Sequence, residues 1–105
     1  MSYCDWPLGN GNTLKFTIYN FNATWNKVAG LYIFAYWDGQ LWHALYVGQT
    51  DDFSSRIPDH ELLQKVRQYR GSAIHALMVP LAANRDNWEK MLIQHLQPPM
   101  NVQGR

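Results

Sequence analysis

The stretch VAGLYIFAYWDGQLWHALYVG, residues 28–48, decides the fold. Residues 28–37 are rich in β-branched and aromatic side chains, which favour extended strands. Asp38-Gly39 is a strong turn signal, and a second strand-like run covers about residues 41–47. We therefore predict that the two runs are paired strands of one β-hairpin.

Two further strands are expected outside this hairpin. Residues 14–21 alternate between apolar and polar side chains, and residues 73–79 form a short apolar run that Pro80 closes. Residues 1–13 contain two Asn/Gly pairs, which are typical of turns. Three glycines elsewhere are also typical of turns: Gly39, Gly48 and Gly71.

The middle of the chain predicts helical structure that a proline interrupts. Residues 50–52 offer N-cap side chains to a helix that begins near Phe53. Pro58 either kinks this helix or occupies the first position of a second one. That second helix carries an apolar stripe and stops at Gly71.

A last helix is expected to begin at a cap formed by Asn84 or Asp86 and to end before Pro98-Pro99. The predicted order is therefore β-β-β-α-β-α, in one domain that covers residues 1–105. This order indicates an α+β fold, with helices packed on a small mixed, mainly antiparallel sheet. Residues 1–27 would be an N-terminal extension that adds one strand.

Composition narrows the class of protein. Hydrophobic residues make up 47% of the chain and charged residues 16%, which is typical of a globular domain. Cys4 has no partner for an internal disulfide, and neither a secretion signal nor a membrane-spanning apolar run is visible. We therefore expect a cytoplasmic protein that does not contact a membrane.

The net charge of +1 counts against tight duplex binding by this domain alone. A local basic surface is still conceivable, because three cations share one predicted helical segment: Lys65, Arg67 and Arg70. The simpler interpretation of such a run is a solvated helix face.

Six spaced residues suit the hydrolysis of a phosphodiester: Tyr32, Tyr46, Arg56, His60, Glu89 and Asn101. A guanidinium matches two phosphate oxygens, and Mg²⁺ keeps several waters, so one carboxylate can be sufficient to bind it. A tyrosine accepts a proton only where its surroundings lower its pKa from about 10. Arg56 and His60 are four residues apart, so on a helix they would share a face.

Here the chain resembles the GIY-YIG nucleases. The first signature stands as Gly30-Leu31-Tyr32, and the second as Tyr46-Val47-Gly48, followed by Gln49-Thr50-Asp51. Arg56 and His60 match the family's helix motif. Glu89, Pro98-Pro99 and Asn101 match its metal-binding helix and closing asparagine. The resemblance extends from about residue 28 to residue 102.

The resemblance implies a DNA endonuclease that uses one Mg²⁺ or Mn²⁺. It implies that Tyr32 is the general base, that Tyr46 orients water or phosphate, and that Arg56 binds the scissile phosphate. His60 would hydrogen-bond Tyr32 or the water and assist proton removal. Glu89 would be the sole protein ligand of the metal, and Asn101 would brace the site.

Further DNA contacts are expected at four residues: Gly48, Lys65, Arg67 and Arg70. A partner protein could supply target specificity. The resemblance itself leaves strand preference open.

Each of these residues also has an ordinary structural explanation. Tyr32 and Tyr46 could simply pack a core, and Glu89 could pair with Arg85 one helical turn earlier. Pro58 could turn Arg56 and His60 apart. The alternative function is therefore a catalytically inactive nucleic-acid-binding or protein-interaction module. The other three histidines are assigned no role: His43, His75 and His95.

Overall fold

The computed structural model describes residues 1–101. These residues form five strands and three helices. The strands are β1 (Tyr3–Pro7), β2 (Thr13–Tyr19), β3 (Gly30–Trp37), β4 (Trp42–Thr50) and β5 (Ala73–Met78). The helices are α1 (Phe53–Arg56), α2 (Leu63–Gln68) and α3 (Ala82–Leu96).

The strands form one sheet in the order β1-β2-β5-β3-β4. All four neighbouring pairs are antiparallel, so the α+β class is confirmed, whereas the expected mixed sheet is wrong for the described strands. The helical segment between β4 and β5 returns the chain to the centre of the sheet. There β5 pairs with both β2 and β3.

The N-terminal segment forms a strand where turns were expected. β1 pairs with β2 from Tyr3 opposite Thr17 to Pro7 opposite Thr13. The Asn/Gly pairs do form a turn, but only as the connection of this hairpin, where Gly9 has a φ of +90°. The predicted element order therefore lacked one strand, and the extension contributes two.

The region around Pro58 is two short helices joined by a turn. Asp52 caps α1 as predicted, because its carboxylate accepts the Ser54 N–H at 2.9 Å. Pro58 lies in the turn after α1, and α2 begins five residues later. At the end of α2, just before Gly71, Arg70 has a left-handed φ of 65°. Gly71 is required for space, because a Cβ there would overlap Val66 Cγ1.

α3 begins earlier than its sequence predicted. Leu81 is the N-cap residue and offers no side-chain hydrogen bond, so the predicted cap at Asn84 or Asp86 is wrong. Arg85 is buried and donates to the Val79 and Pro80 carbonyls, both at 2.9 Å. This side chain ties the start of α3 to the end of β5. α3 ends before Pro98-Pro99, as predicted.

The two sides of the sheet bury different cores. Along β3, Leu31 and Ile33 belong to a core with Leu92 of α3. Tyr32 and Phe34 belong to a second core, with Phe53 of α1 and Val66 of α2. This division follows from the alternation of side chains along a strand. Among residues 1–101, no helix combines the length and the apolar character that crossing a bilayer requires.

Candidate functional site

The two tripeptide motifs face each other across the central hairpin. Tyr32 of β3 lies directly opposite Gly48 of β4. A Cβ at Gly48 would overlap the Tyr32 ring carbon Cζ and would lie 2.5 Å from its hydroxyl oxygen. Gly48 is thus inside a strand and not in a turn, and the absence of a side chain there lets the Tyr32 ring lie across the neighbouring strand.

Gly30 is required for a similar reason. A Cβ there would overlap the Leu77 carbonyl oxygen and would lie 2.5 Å from Cζ of Phe53. Phe53 is the first residue of α1, and its backbone N–H donates to the Val28 carbonyl at 2.8 Å. The close approach at Gly30 therefore sets the position of α1 and, three residues on, of Arg56.

His60 contacts Tyr32 from the turn that follows Pro58. Its Nε2 atom lies 3.0 Å from the Tyr32 hydroxyl oxygen. His60 is not on a helix, so the expected helical face shared with Arg56 is wrong. The side chain still reaches the site because the turn folds back over β3, where the imidazole packs edge-on against Phe34 with ring centroids 4.9 Å apart.

The hydrogen bonds of His60 define its tautomer. The Leu62 backbone N–H donates to Nδ1 at 3.1 Å, so that nitrogen is an acceptor. In a neutral imidazole the proton is then on Nε2, which donates to the Tyr32 oxygen. Burial, followed by the nearby charge of Arg56, lowers the pKa of His60 to about 4, so the ring is neutral at pH 7. His60 is arranged to donate to Tyr32, not to take its proton.

Tyr46 completes an aromatic cluster around this imidazole. Its ring meets the His60 ring edge-on with centroids 5.2 Å apart, and it lies 6.2 Å from the Tyr32 ring. Burial raises the pKa of both tyrosines above the ordinary value, while the charge of Arg56 opposes that rise in each. Glu89 raises both pKa values. The two charged groups therefore lie within electrostatic reach of both phenols.

Arg56 is held by an acid that sequence reasoning missed. Its Nη1 and Nη2 atoms donate to the two Glu61 carboxylate oxygens at 2.7 and 3.1 Å. This contact holds the pKa of Glu61 at about 2. Residues five apart do not meet on a continuous helix. Only the turn at Pro58 brings Glu61 to Arg56, and no sequence spacing signals such a turn-dependent pair.

Glu89 lies on α3 beside the end of β4. The Gln49 amide donates to Glu89 Oε1 at 3.0 Å and to Asp86 Oδ1 at 2.8 Å. The alternative pairing of Glu89 with Arg85 does not form, because Arg85 bonds the carbonyls before α3. Burial raises the pKa of Glu89, the Gln49 hydrogen bond opposes this rise, and the Asp86 charge adds to it.

These residues fit a hard divalent cation. A carboxylate that burial and a neighbouring acid both disfavour in its charged form would be relieved by positive charge. Carboxylate oxygens are ligands that Mg²⁺ and Mn²⁺ accept, and water can fill the remaining positions. Within residues 1–101 no group of three or more His, Cys, Asp or Glu residues is arranged to hold a metal ion. Asp86 and Glu89, which share the Gln49 amide, are the two carboxylates that a cation bound at this point could use.

Asn101 acts on the site through the backbone of β4. Its Oδ1 accepts the Val47 N–H and its Nδ2 donates to the Val47 carbonyl, both at 2.8 Å. Val47 lies between Tyr46 and Gly48 on the edge strand of the sheet. The amide therefore fixes the backbone that carries Tyr46.

The structure groups the six predicted residues unequally. Tyr32, Tyr46 and His60 are in contact. The charges of Arg56 and Glu89 affect the pKa values of both tyrosines. Asn101 does not contact these rings but hydrogen-bonds the Val47 backbone of β4.

The four predicted DNA contacts differ in exposure. Gly48 is buried. Lys65, Arg67 and Arg70 are exposed in and just after α2, and the Arg67 guanidinium lies 4.7 Å from the centre of the Phe21 ring. Because they are exposed, Lys65, Arg67 and Arg70 could approach a phosphate backbone. Gly48 is buried and has no side chain, so only its backbone could contact DNA.

Comparison of the chain with known protein families, with curated proteins and with solved structures finds no match in any of the three. What the molecule does is therefore inferred from its own motifs and side-chain geometry.

Proposed function

We propose that this chain is an endonuclease of the GIY-YIG type that hydrolyses phosphodiester bonds in DNA with one Mg²⁺ or Mn²⁺. The observation that carries this proposal is the hydrogen bond between His60 Nε2 and the Tyr32 hydroxyl at 3.0 Å. It joins two predicted site residues that are 28 positions apart, next to Tyr46 and within charge range of Arg56 and Glu89.

The motif glycines support the same proposal. Gly48 leaves room for the Tyr32 ring, and Gly30 leaves room for the Leu77 carbonyl and the Phe53 ring. Ordinary strand packing does not require glycine at either place. We extend the proposal to the fold: residues 28–101 belong to the GIY-YIG unit, whose last expected residue, 102, lies outside the described residues, and β1 and β2 are an addition to its sheet.

In the proposed reaction the Tyr32 phenol first releases its own proton to solvent, and the resulting phenolate accepts a proton from the attacking water. The His60 Nε2–H bond and the Arg56 charge favour the phenolate, whereas burial, Tyr46 and Glu89 disfavour it. In the free protein the second set dominates, so Tyr32 is a neutral phenol at pH 7. Tyr32 can therefore act as a base only if added positive charge lowers its pKa, and a bound cation would supply that charge.

Arg56 would bind two non-bridging oxygens of the scissile phosphate and stabilise the charge that develops on them. Tyr46 lies beside both Tyr32 and His60 and would hold the water or the phosphate in line. A divalent cation bound at Glu89 would supply positive charge to the phosphate and the leaving oxygen. Asn101 would keep Tyr46 in register through the Val47 backbone.

A metal-supplemented cleavage assay tests this proposal. Supercoiled plasmid, linear duplex and circular single-stranded DNA are incubated with the protein in Mg²⁺, in Mn²⁺ and in EDTA. We expect cleavage of at least one substrate that EDTA abolishes. Arg56→Gln, Glu89→Gln and Tyr32→Phe should each reduce the rate by about 10² to 10³-fold, since each removes a group that acts on the developing charge or the proton.

Matched controls make this result specific. Tyr36→Phe removes a phenol from the same strand as Tyr32, where the Tyr36 ring stacks on His43 at 4.8 Å. Lys15→Gln removes an exposed cation from β2, on the N-terminal hairpin. Both variants should retain activity within a few-fold of wild type. Absence of cleavage on every substrate, or cleavage that all three site substitutions leave unchanged, would contradict the proposal.

The catalytically inactive module is the alternative. The observation that favours it is the Arg56–Glu61 ion pair, which occupies the guanidinium in the free protein. Binding of DNA or of a protein partner without turnover, at saturating Mg²⁺ and Mn²⁺, would support this alternative. With the nuclease function we also propose that the protein is cytoplasmic and that a partner protein selects the target.

A further inference from the structure

The Glu61 carboxylate lies where a substrate phosphate is proposed to bind. Both terminal nitrogens of Arg56 donate to it, at 2.7 Å from Nη1 and 3.1 Å from Nη2. The planar fork of arginine accepts a carboxylate or a phosphate with the same two-point geometry. Any phosphate brought to Arg56 therefore meets Glu61 both as a competitor for the two nitrogens and as a like charge.

We propose that Glu61 is an internal competitor of the substrate phosphate, and that nucleic acid binds at Arg56 only by displacing it. This inference rests on the proposed nuclease function, because it assumes that Arg56 is the phosphate-binding residue. It adds a specificity-determining residue to that site.

Exposure of the pair makes displacement feasible. The side chains of Arg56 and Glu61 are 36% and 65% exposed, so solvent already screens their attraction. Glu61 also lies 3.8 Å from His60 Nδ1, but this imidazole is neutral at pH 7 and does not form an ion pair with it. Glu61 lies in the turn before α2 and can move away without disturbing a regular element.

Glu61 would discriminate among anions. A single small anion gains one contact with Arg56 and must break the existing one. A nucleic-acid strand presents several phosphates, so contacts elsewhere can offset the displacement. The pair would therefore exclude free phosphate and admit a polyanionic strand.

The chain offers a matched control for the test. Asp59 is an exposed carboxylate in the same turn, two residues before Glu61, and it forms no ion pair with any residue in the described range 1–101. Glu61→Gln and Asp59→Asn both remove one negative charge with little change in size. Any general electrostatic effect on DNA binding is common to the two variants, so their difference isolates the contact with Arg56.

Binding is measured without turnover. Fluorescein-labelled single-stranded and duplex oligonucleotides are titrated with each variant in EDTA, and Kd is read from fluorescence anisotropy. We expect Glu61→Gln to bind about two- to fivefold more tightly than Asp59→Asn, which is the scale of an exposed ion pair. In an Arg56→Gln background this difference should disappear. Both variants should show a cooperative unfolding transition, which confirms that they are folded under the binding conditions.

The outcomes separate the two proposals. If Arg56→Gln weakens DNA binding but Glu61→Gln binds no more tightly than Asp59→Asn, Glu61 positions Arg56 and the competitor proposal is wrong. The nuclease proposal then stands. If Arg56→Gln leaves the affinity of the wild type unchanged, the phosphate role of Arg56 fails and the competitor proposal fails with it.

Discussion

At the scale of single residues, one backbone hydrogen bond determines what His60 can do. The Leu62 N–H occupies Nδ1, so the ring can only donate through Nε2 to Tyr32. The resemblance implied that His60 assists proton removal. We infer that it does so by stabilising the Tyr32 oxygen and not by taking the proton itself.

Substitution of His60 distinguishes a donor from a base. Glutamine can present an amide N–H near the position of Nε2 but cannot accept a proton at neutral pH. We therefore expect His60→Gln to retain DNA cleavage within about tenfold of wild type and His60→Ala to lose about 10²-fold, as measured by kcat/KM. Equal loss in both variants would show that His60 takes a proton. The ¹⁵N shifts of the wild-type ring at pH 7 should report the Nε2–H tautomer.

The sequence singled out candidate site residues, but it did not indicate the partners of those residues. The spacing of the motifs along the chain was sufficient to single out Tyr32, Tyr46 and Glu89. The partner of Arg56 was missed because Glu61 reaches it only through the turn at Pro58. The amide contact of Gln49 with Glu89 was equally unpredictable, because it depends on how α3 crosses the end of β4.

At the scale of elements, the central hairpin was the most predictable feature. The N-terminal strand and the start of the last helix were the least predictable. The β3–β4 pairing follows from β-rich runs on either side of Asp38-Gly39. β1 was missed because residues 3–7 lack a clear alternation and include a proline. Only pairing with β2 turns that segment into a strand. The start of α3 was misplaced because no polar side chain caps this helix and Leu81 is its N-cap residue. The buried Arg85 instead donates to the Val79 and Pro80 carbonyls before the helix.

The role of Gly48 in the hairpin can be tested by adding one methyl group. Gly48→Ala places a Cβ against the Tyr32 ring and must displace the hydroxyl from His60. We expect DNA cleavage to fall by at least about 10²-fold and the free energy of unfolding to fall by about 1–3 kcal/mol. Cleavage assays and chemical denaturation measure the two effects separately.

Gly39→Ala is the control within the same hairpin. A Cβ at Gly39 meets nothing within 4 Å, but the φ of +102° makes any side chain there costly. This variant should lose stability while keeping the cleavage rate of its folded fraction. If Gly48→Ala behaves in the same way, Tyr32 does not depend on the space above Gly48.

At the scale of the whole molecule, the sheet order depends on contacts that no local pattern contains. β5 enters between β2 and β3, and β1 adds the outer edge. A buried hydrogen bond reinforces this order: Trp6 Nε1 of β1 donates to His75 Nδ1 of β5 at 2.9 Å, across the intervening β2. The sequence analysis assigned His75 no role, because the sequence around a single histidine in an apolar strand does not indicate its hydrogen-bond partner.

This buried pair and His60 together predict how stability depends on pH. Burial lowers the pKa of His75 to about 4, and the pKa of His60 is lowered to about 4 as well. An unfolded histidine titrates near pH 6.5, so between pH 6.5 and 4 the unfolded chain binds more protons than the folded protein. The free energy of unfolding should therefore decrease as the pH falls through this window, by up to about 3 kcal/mol for each histidine.

Chemical denaturation at pH 7, 5.5 and 4 measures this decrease, and variants assign it. The double variant Trp6→Phe/His75→Leu removes the buried imidazole together with its donor, so it should lose about half of the pH dependence. Gln94→Ala, which replaces an exposed side chain of α3 that does not titrate, should leave the dependence unchanged. Glu89 acts with the opposite sign, because its raised pKa makes the folded protein bind a proton more readily than the unfolded chain as the pH falls. Its contribution is common to all three proteins and cancels in the comparison.

A double variant with the full wild-type slope would show that His75 is not buried as a neutral ring, and the β1–β5 contact would then not be what reinforces the sheet order.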